Sequence, residues 1–157
     1  MAAERGAFVV RLGNDTVGVE QYARAGNRVE GTFMQRAPRT LVTRYVMMLN
    51  PNGTPATYEV SQRMPDGGMP PNAPRSAMMT FTSDSVVIQI QRDTMITRRI
   101  AGRSTFPYIN FAVSMLEWPI AALRASGQDS AMYSIAGVTS NAGTPTAVIR
   151  KGTNRYW

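Results

Sequence analysis

The 157-residue chain carries 17 Lys and Arg against 10 Asp and Glu, a formal charge of +7, with 43% hydrophobic and 17% charged residues. That composition folds as one domain instead of staying disordered. It contains neither Cys nor His, which excludes disulfides, thiolate chemistry, Ser-His and Cys-His catalysis and the usual zinc ligands. All but one of the basic side chains are Arg, Lys151 being the exception. Dispersed along the chain, they read as a solvated basic surface, the alternative being a surface that steers the chain to anionic lipid headgroups or an acidic protein face, and no nucleic-acid partner is expected.

The first hundred residues read as short strands separated by turns. AFVVRL (7–12) sets Phe8, Val10 and Leu12 on one face, and Gly13-Asn14-Asp15 turns the chain. TVGVEQYARA (16–25) sets Val17 and Val19 on one side before Gly26-Asn27, and RVEGTFMQR (28–36) sets Val29, Gly31 and Phe33 against Arg28, Glu30 and Thr32. RTLVTRYVMML (39–49) and PATYEVSQRM (55–64) flank Asn52-Gly53, a strong hairpin signal. AMMTFT (77–82), SVVIQIQR (85–92) and TMITRRI (94–100) continue the pattern. Short loops force antiparallel neighbours, so the expected fold is mainly β, a curved half-barrel-like meander of about 7–9 strands in a single domain over 1–157.

Between Met64 and Met79, MPDGGMPPNAPRSAMM has four Pro and two Gly and predicts a long loop. Its Met64, Met69, Met78 and Met79 are too apolar for a plain linker. The segment is therefore either a flexible surface loop or an arm that docks on a partner or on its own sheet.

A helical segment is expected near 108–126. Phe106, Ile109, Val113, Leu116, Ile120 and Leu123 form one apolar stripe that should face the core, while Asn110, Ser114, Glu117, Ala121 and Arg124 form a polar edge. That edge and Pro119 argue against a membrane span. Phe111, Met115, Trp118 and Ala122 make a second apolar stripe, to be covered either by the sheet wrapping round the helix or by a partner. Pro119 predicts a kink, or a break near Glu117 and Trp118, and Gly127 a left-handed cap. SAMYSIAG (130–137) and PTAVIRKG (145–152) then read as a last hairpin.

The chemistry-bearing residues form no catalytic pattern. Asp15, Asp66, Asp84 and Asp129 sit beside turn residues, where local hydrogen bonding accounts for them. There is no phosphate loop, dinucleotide fingerprint or nucleophile elbow. The 11 Met lack the spacing of a copper site and serve better as adaptable packing. The expectation is a protein that is not an enzyme and uses no cofactor or metal.

The segments FVVRLGNDTVGVEQYARAGNRVEG (8–31), QRAPRT (35–40), YVMMLNPNGTPATYEV (45–60) and STFPYINFAVSMLEWPIAALRASGQDS (104–130) resemble the amino-terminal regions of secreted bacterial proteins of unknown function. The resemblance implies export, hence a periplasmic location peripheral to the membrane. A second association is with the membrane-extrinsic subunits of bacterial photosynthetic reaction-centre and antenna complexes. The layout is also similar to the half-barrels of bacterial lipoprotein carriers.

Together these lead to an expected non-enzymatic structural subunit docking on the protein subunits of a membrane assembly, a photosynthetic reaction-centre light-harvesting complex being the candidate. The partner-binding residues would be Phe111, Met115, Trp118, Met64, Met69, Pro70, Pro71, Met78, Arg98, Arg99 and Arg103. The alternative is a carrier of a small apolar ligand or lipid, in a cavity lined by Phe33, Tyr45, Met47 and Val113.

Overall fold

The computed structural model describes residues 4–36, 39–71, 74–101, 105–108 and 112–157. Eight strands follow one another as an antiparallel meander: β1 (Glu4–Leu12), β2 (Asp15–Ala25), β3 (Arg28–Gln35), β4 (Leu41–Leu49), β5 (Pro55–Arg63), β6 (Ser76–Phe81), β7 (Ser85–Gln91) and β8 (Met95–Ala101). Sequential pairing follows from the tight turns, such as the one at Gly26, whose φ of 59° needs no Cβ to be accommodated. A second, four-stranded sheet is ordered β12-β11-β10-β9, from β9 (Thr105–Pro107), β10 (Ser130–Ala136), β11 (Thr144–Gly152) and β12 (Arg155–Tyr156). The last hairpin is β10 with β11, and β9 joins β10 in parallel.

Between β9 and β10 runs the helical segment, a 3₁₀ turn (Ser114–Leu116) followed by α1 (Glu117–Ser126). The chain changes from one helix type to the other just before Trp118. Pro119 lies in the first turn of α1, where its missing amide removes no intrahelical bond, so the break precedes the proline. Gly127 caps the helix with φ 69°. No helix is long and apolar enough to cross a membrane.

The inner face of the meander packs on the helix and the second sheet in one apolar cluster that includes Met47, Tyr58, Met79, Ile88, Phe106, Met115 and Trp118. The helical phase differs from the expected one. Leu116 is 45% exposed, while Met115 and Trp118 are 1% and 4% exposed. A single helical stripe from Phe106 requires one helix running from there, whereas Phe106 lies in β9 and the α-helix begins at Glu117. The long loop is also shorter than the expected 64–79, because β6 begins at Ser76 and takes up Met78 and Met79, the latter fully buried.

One row of the inner face explains how the first strands coil closely. Gly6 pairs with Tyr22, Tyr22 with Gly31, and Gly31 with Tyr45. The Tyr22 ring lies over Gly6 and the Tyr45 ring over Gly31, where a Cβ would collide with them. Phe8 stacks on Tyr22 with centroids 5.8 Å apart. Gly31→Val is expected to destabilise the fold by roughly 1–3 kcal/mol through overpacking against Tyr45. Urea unfolding should show a lowered midpoint with an unchanged slope.

Candidate functional site

Two places in the molecule concentrate unusual chemistry, one buried and one on the surface. The buried one is Glu20, which has no exposed surface. Its Oε2 accepts the Ser114 backbone N–H at 3.0 Å, and its Oε1 accepts the Tyr45 hydroxyl at 2.9 Å and the Ser114 hydroxyl at 2.5 Å. Tyr45 Oη and Ser114 Oγ are themselves 2.9 Å apart. A buried carboxylate needs this many donors. The cluster fastens the start of the helical segment to β2 and β4.

Nothing in the cluster marks it as a reacting centre. Ser114 is 4% exposed, so a substrate has no approach to its hydroxyl. Next to it, Arg24 holds Glu117 at 3.5 Å and lies over the Trp118 ring at 5.4 Å. Burial lifts the Glu117 carboxyl above its usual range, against the pull of Arg24. Among the described residues, no group of three His, Cys, Asp or Glu could hold a metal ion.

The inner face of β2 carries Gly18, Glu20 and Tyr22, so Val19 points outward, while Val17, expected on the same side, falls at the register shift between β1 and β2. Ser114 likewise belongs to the interior and not to a polar edge of the helix.

The surface feature is the outer face of β1 to β4. Val9 pairs with Val19, Val19 with Met34, and Met34 with Val42, giving one apolar row across four strands. Val9 is 59% and Met34 42% exposed, while Val19 and Val42 are half-buried. Beside this row lies an open groove of about 660 Å³, lined by Arg5, Gln21, Glu30, Thr32, Arg44 and Val46 among others. Glu30 is held by Arg28 at 3.0 Å. Arg5 and Arg44 form no ion pair among the described residues. The alternation in β1 sets Val9 opposite Phe8, Val10 and Leu12, but alternation alone does not say which side of β2 faces the interior.

The structure does not bring the expected partner-binding residues together. Met115 and Trp118 are core residues, because the chain's own meander covers the second apolar stripe. Met64 and Met69 are half-buried, Pro70 is buried and Pro71 exposed. Met69 Sδ lies 3.0 Å from Arg63, and Met78 faces outward beside Glu59 and Gln89. Arg98 ties β8 to the β10–β11 connection through the Thr139 carbonyl and Asn141 Oδ1. Arg99 reaches Ser85 Oγ at 3.0 Å and Asp84 at 3.5 Å. Phe111 and Arg103 lie outside the described residues.

The expected ligand cavity is not where it was placed, since Phe33, Tyr45 and Met47 are 0%, 2% and 0% exposed and fill that space themselves. A smaller space of about 310 Å³ lies between Thr43, Tyr58, Val60 and Gln62 on one side and Val138 and Ser140 on the other. Among the described residues the buried Tyr58 hydroxyl has no hydrogen-bond partner.

Burial pushes both the Tyr58 and the Tyr45 hydroxyl above the ordinary phenol range, with nearby Glu20 adding to each shift. A raised folded-state pKa keeps its stabilisation below about pH 10 and loses it as pH climbs from there. Alkaline unfolding followed by circular dichroism should therefore coincide with tyrosinate absorbance. Two buried hydroxyls, one inside the Glu20 network and one outside it, should respond oppositely to mutation in thermal melts. Ser114→Ala is expected to cost about 1–3 kcal/mol by stripping a donor from Glu20, and Tyr58→Phe to raise the melting temperature by removing an unsatisfied hydroxyl.

Compared with known protein families, curated proteins and solved structures, the chain matches none of them.

Proposed function

We propose that this protein is a non-enzymatic interaction domain that acts outside the cytoplasm and docks on a membrane-associated protein assembly through the outer face of β1 to β4. A photosynthetic reaction-centre light-harvesting complex is the candidate assembly by the second association drawn above, with membrane-extrinsic subunits, and not by the resemblance that the quoted segments carry. The observation that carries the reading is the row Val9, Val19, Met34 and Val42, aligned in register on the outer face, with Val9 and Met34 exposed and Val19 and Val42 half-buried between and beside them. Contiguous exposed apolar surface of this kind marks a place where something else binds. Arg5 and Arg44 beside it, without carboxylate partners among the described residues, would steer an anionic target to the face.

A second reading, a carrier of a small ligand, is favoured by one observation. The space of about 310 Å³ beside Tyr58 sits at the lower end of the size range of ligand sites, and the unpartnered Tyr58 hydroxyl could donate to a guest. Under this reading a small molecule copurifies and is seen by mass spectrometry after denaturation.

The deciding experiment is a sucrose gradient of gently solubilised membranes from the native source, with the chain located by mass spectrometry. Comigration with a heavy membrane-complex band at fixed stoichiometry is the expected result, and a Val9→Glu, Met34→Glu variant should move to the light fractions. Recovery of the wild-type chain only in the light soluble fractions would overturn the docking reading.

A further inference from the structure

We infer that the immediate target of this outer face is the anionic surface of a lipid bilayer, an inference that rests on the reading of β1 to β4 as the docking face. Its side chains on β1 to β4 include Val9, Val19, Gln21, Thr32, Met34 and Val42, and no aromatic among them. The aromatic residues of these strands, Phe8, Tyr22, Phe33 and Tyr45, alternate onto the opposite, inner face, and only Tyr22 and Tyr45, the rings packed over Gly6 and Gly31, also line the groove. Protein interfaces concentrate their binding energy in buried Tyr, Trp and Arg that fill shaped pockets. Here the groove is open and the apolar row is built of short aliphatic side chains, which ask for no complementary shape. A fluid lipid surface provides none.

Charge points the same way. Arg5 and Arg44 line the groove on one side of the apolar row. Arg11 is exposed in β1, and Arg36 is exposed where β3 ends. None of these four is ion-paired among the described residues. Two carboxylates share the face: Glu30, already held by Arg28, and exposed Glu59, which pairs with Val46 across β4 and β5. The face is thus apolar along one line and cationic around it. Strands lie about 4.8 Å apart, so a row across four of them extends about 14 Å. Aliphatic side chains entering the headgroup layer, with guanidinium groups on lipid phosphates around them, is the pairing of two weak signals that holds peripheral proteins on membranes.

The test is sedimentation of the full chain with vesicles of phosphatidylcholine alone and of phosphatidylcholine containing about 30% phosphatidylglycerol, a content that gives the surface a negative potential. Binding to the anionic vesicles only, released by raised salt, is expected. Arg5→Gln and Arg44→Gln should each weaken it about fivefold. Val9→Ser with Met34→Ser should weaken it at every salt concentration, while Arg150→Gln, on the second sheet, should change it no more than a diffuse charge effect does. Circular dichroism of each variant establishes that it is folded.

Absence of binding to anionic vesicles would overturn the lipid inference. If the Val9→Glu, Met34→Glu variant still left the heavy gradient band in that case, the face would bind protein, and the docking reading would survive without the lipid. Binding unaffected by any of the outer-face variants would overturn the assignment of lipid contact to this face. A wild-type dimer by light scattering that the Val9 and Met34 changes dissolve, with vesicle binding intact, would do so as well, identifying a second copy as the occupant of the row.

Discussion

A carboxylate inside an apolar core is tolerated only when its lone pairs are occupied, because the desolvation it suffers exceeds what any one hydrogen bond returns. Glu20 is in that position, with no exposed surface. Its donors come from β4, through Tyr45, and from the backbone and side chain of Ser114. The requirement is mutual. The 3₁₀ turn has an amide that no side chain of its own caps, and the carboxylate of β2 takes it. The helical segment is thereby fixed on the inner face of the meander, and its neighbours Met115 and Trp118 are carried into the core.

Once Glu20 faces inward, strand alternation leaves Val19 facing outward. Its cross-strand neighbours Val9 and Met34 lie on the same side. The exposed apolar row is therefore coupled to the buried polar cluster through the two-residue period of a single strand. A shift of one residue in β2 would place the valines inside and the carboxylate in water, a more ordinary arrangement for a sheet. The chain instead keeps its polar anchor within and its apolar surface without, and this inversion is the basis for reading the outer face as a docking surface.

Much of the architecture was legible in the sequence, because turns are local. Gly13-Asn14, Gly26-Asn27 and Asn52-Gly53 fall where strands reverse, and the alternation of Val29, Gly31 and Phe33 fixed the inward side of β3. The hairpin of β10 and β11 was readable on the same grounds. What escaped depends on contacts distant in sequence. The parallel pairing of β9 with β10 spans the whole helical segment, and no local pattern announces it. The helical phase was misjudged because an uninterrupted helix was counted back to Phe106. For the candidate site, alternation shows two sides of β2 without saying which faces inward, and the partners that hold Glu20 inside lie 25 and 94 residues away.

The row of Gly6, Tyr22, Gly31 and Tyr45 has a meaning for how this chain can change over generations. Each tyrosine occupies the volume that its glycine leaves empty, so neither residue of a pair is free to vary alone. A side chain gained at one position must be matched by a ring lost at the other, and Tyr45 has the further duty of donating to Glu20. The Gly31 and Tyr45 positions should therefore drift together or not at all. Gly6 and Tyr22, at the open edge of the sheet, form the looser pair, where exchange is easier to accommodate.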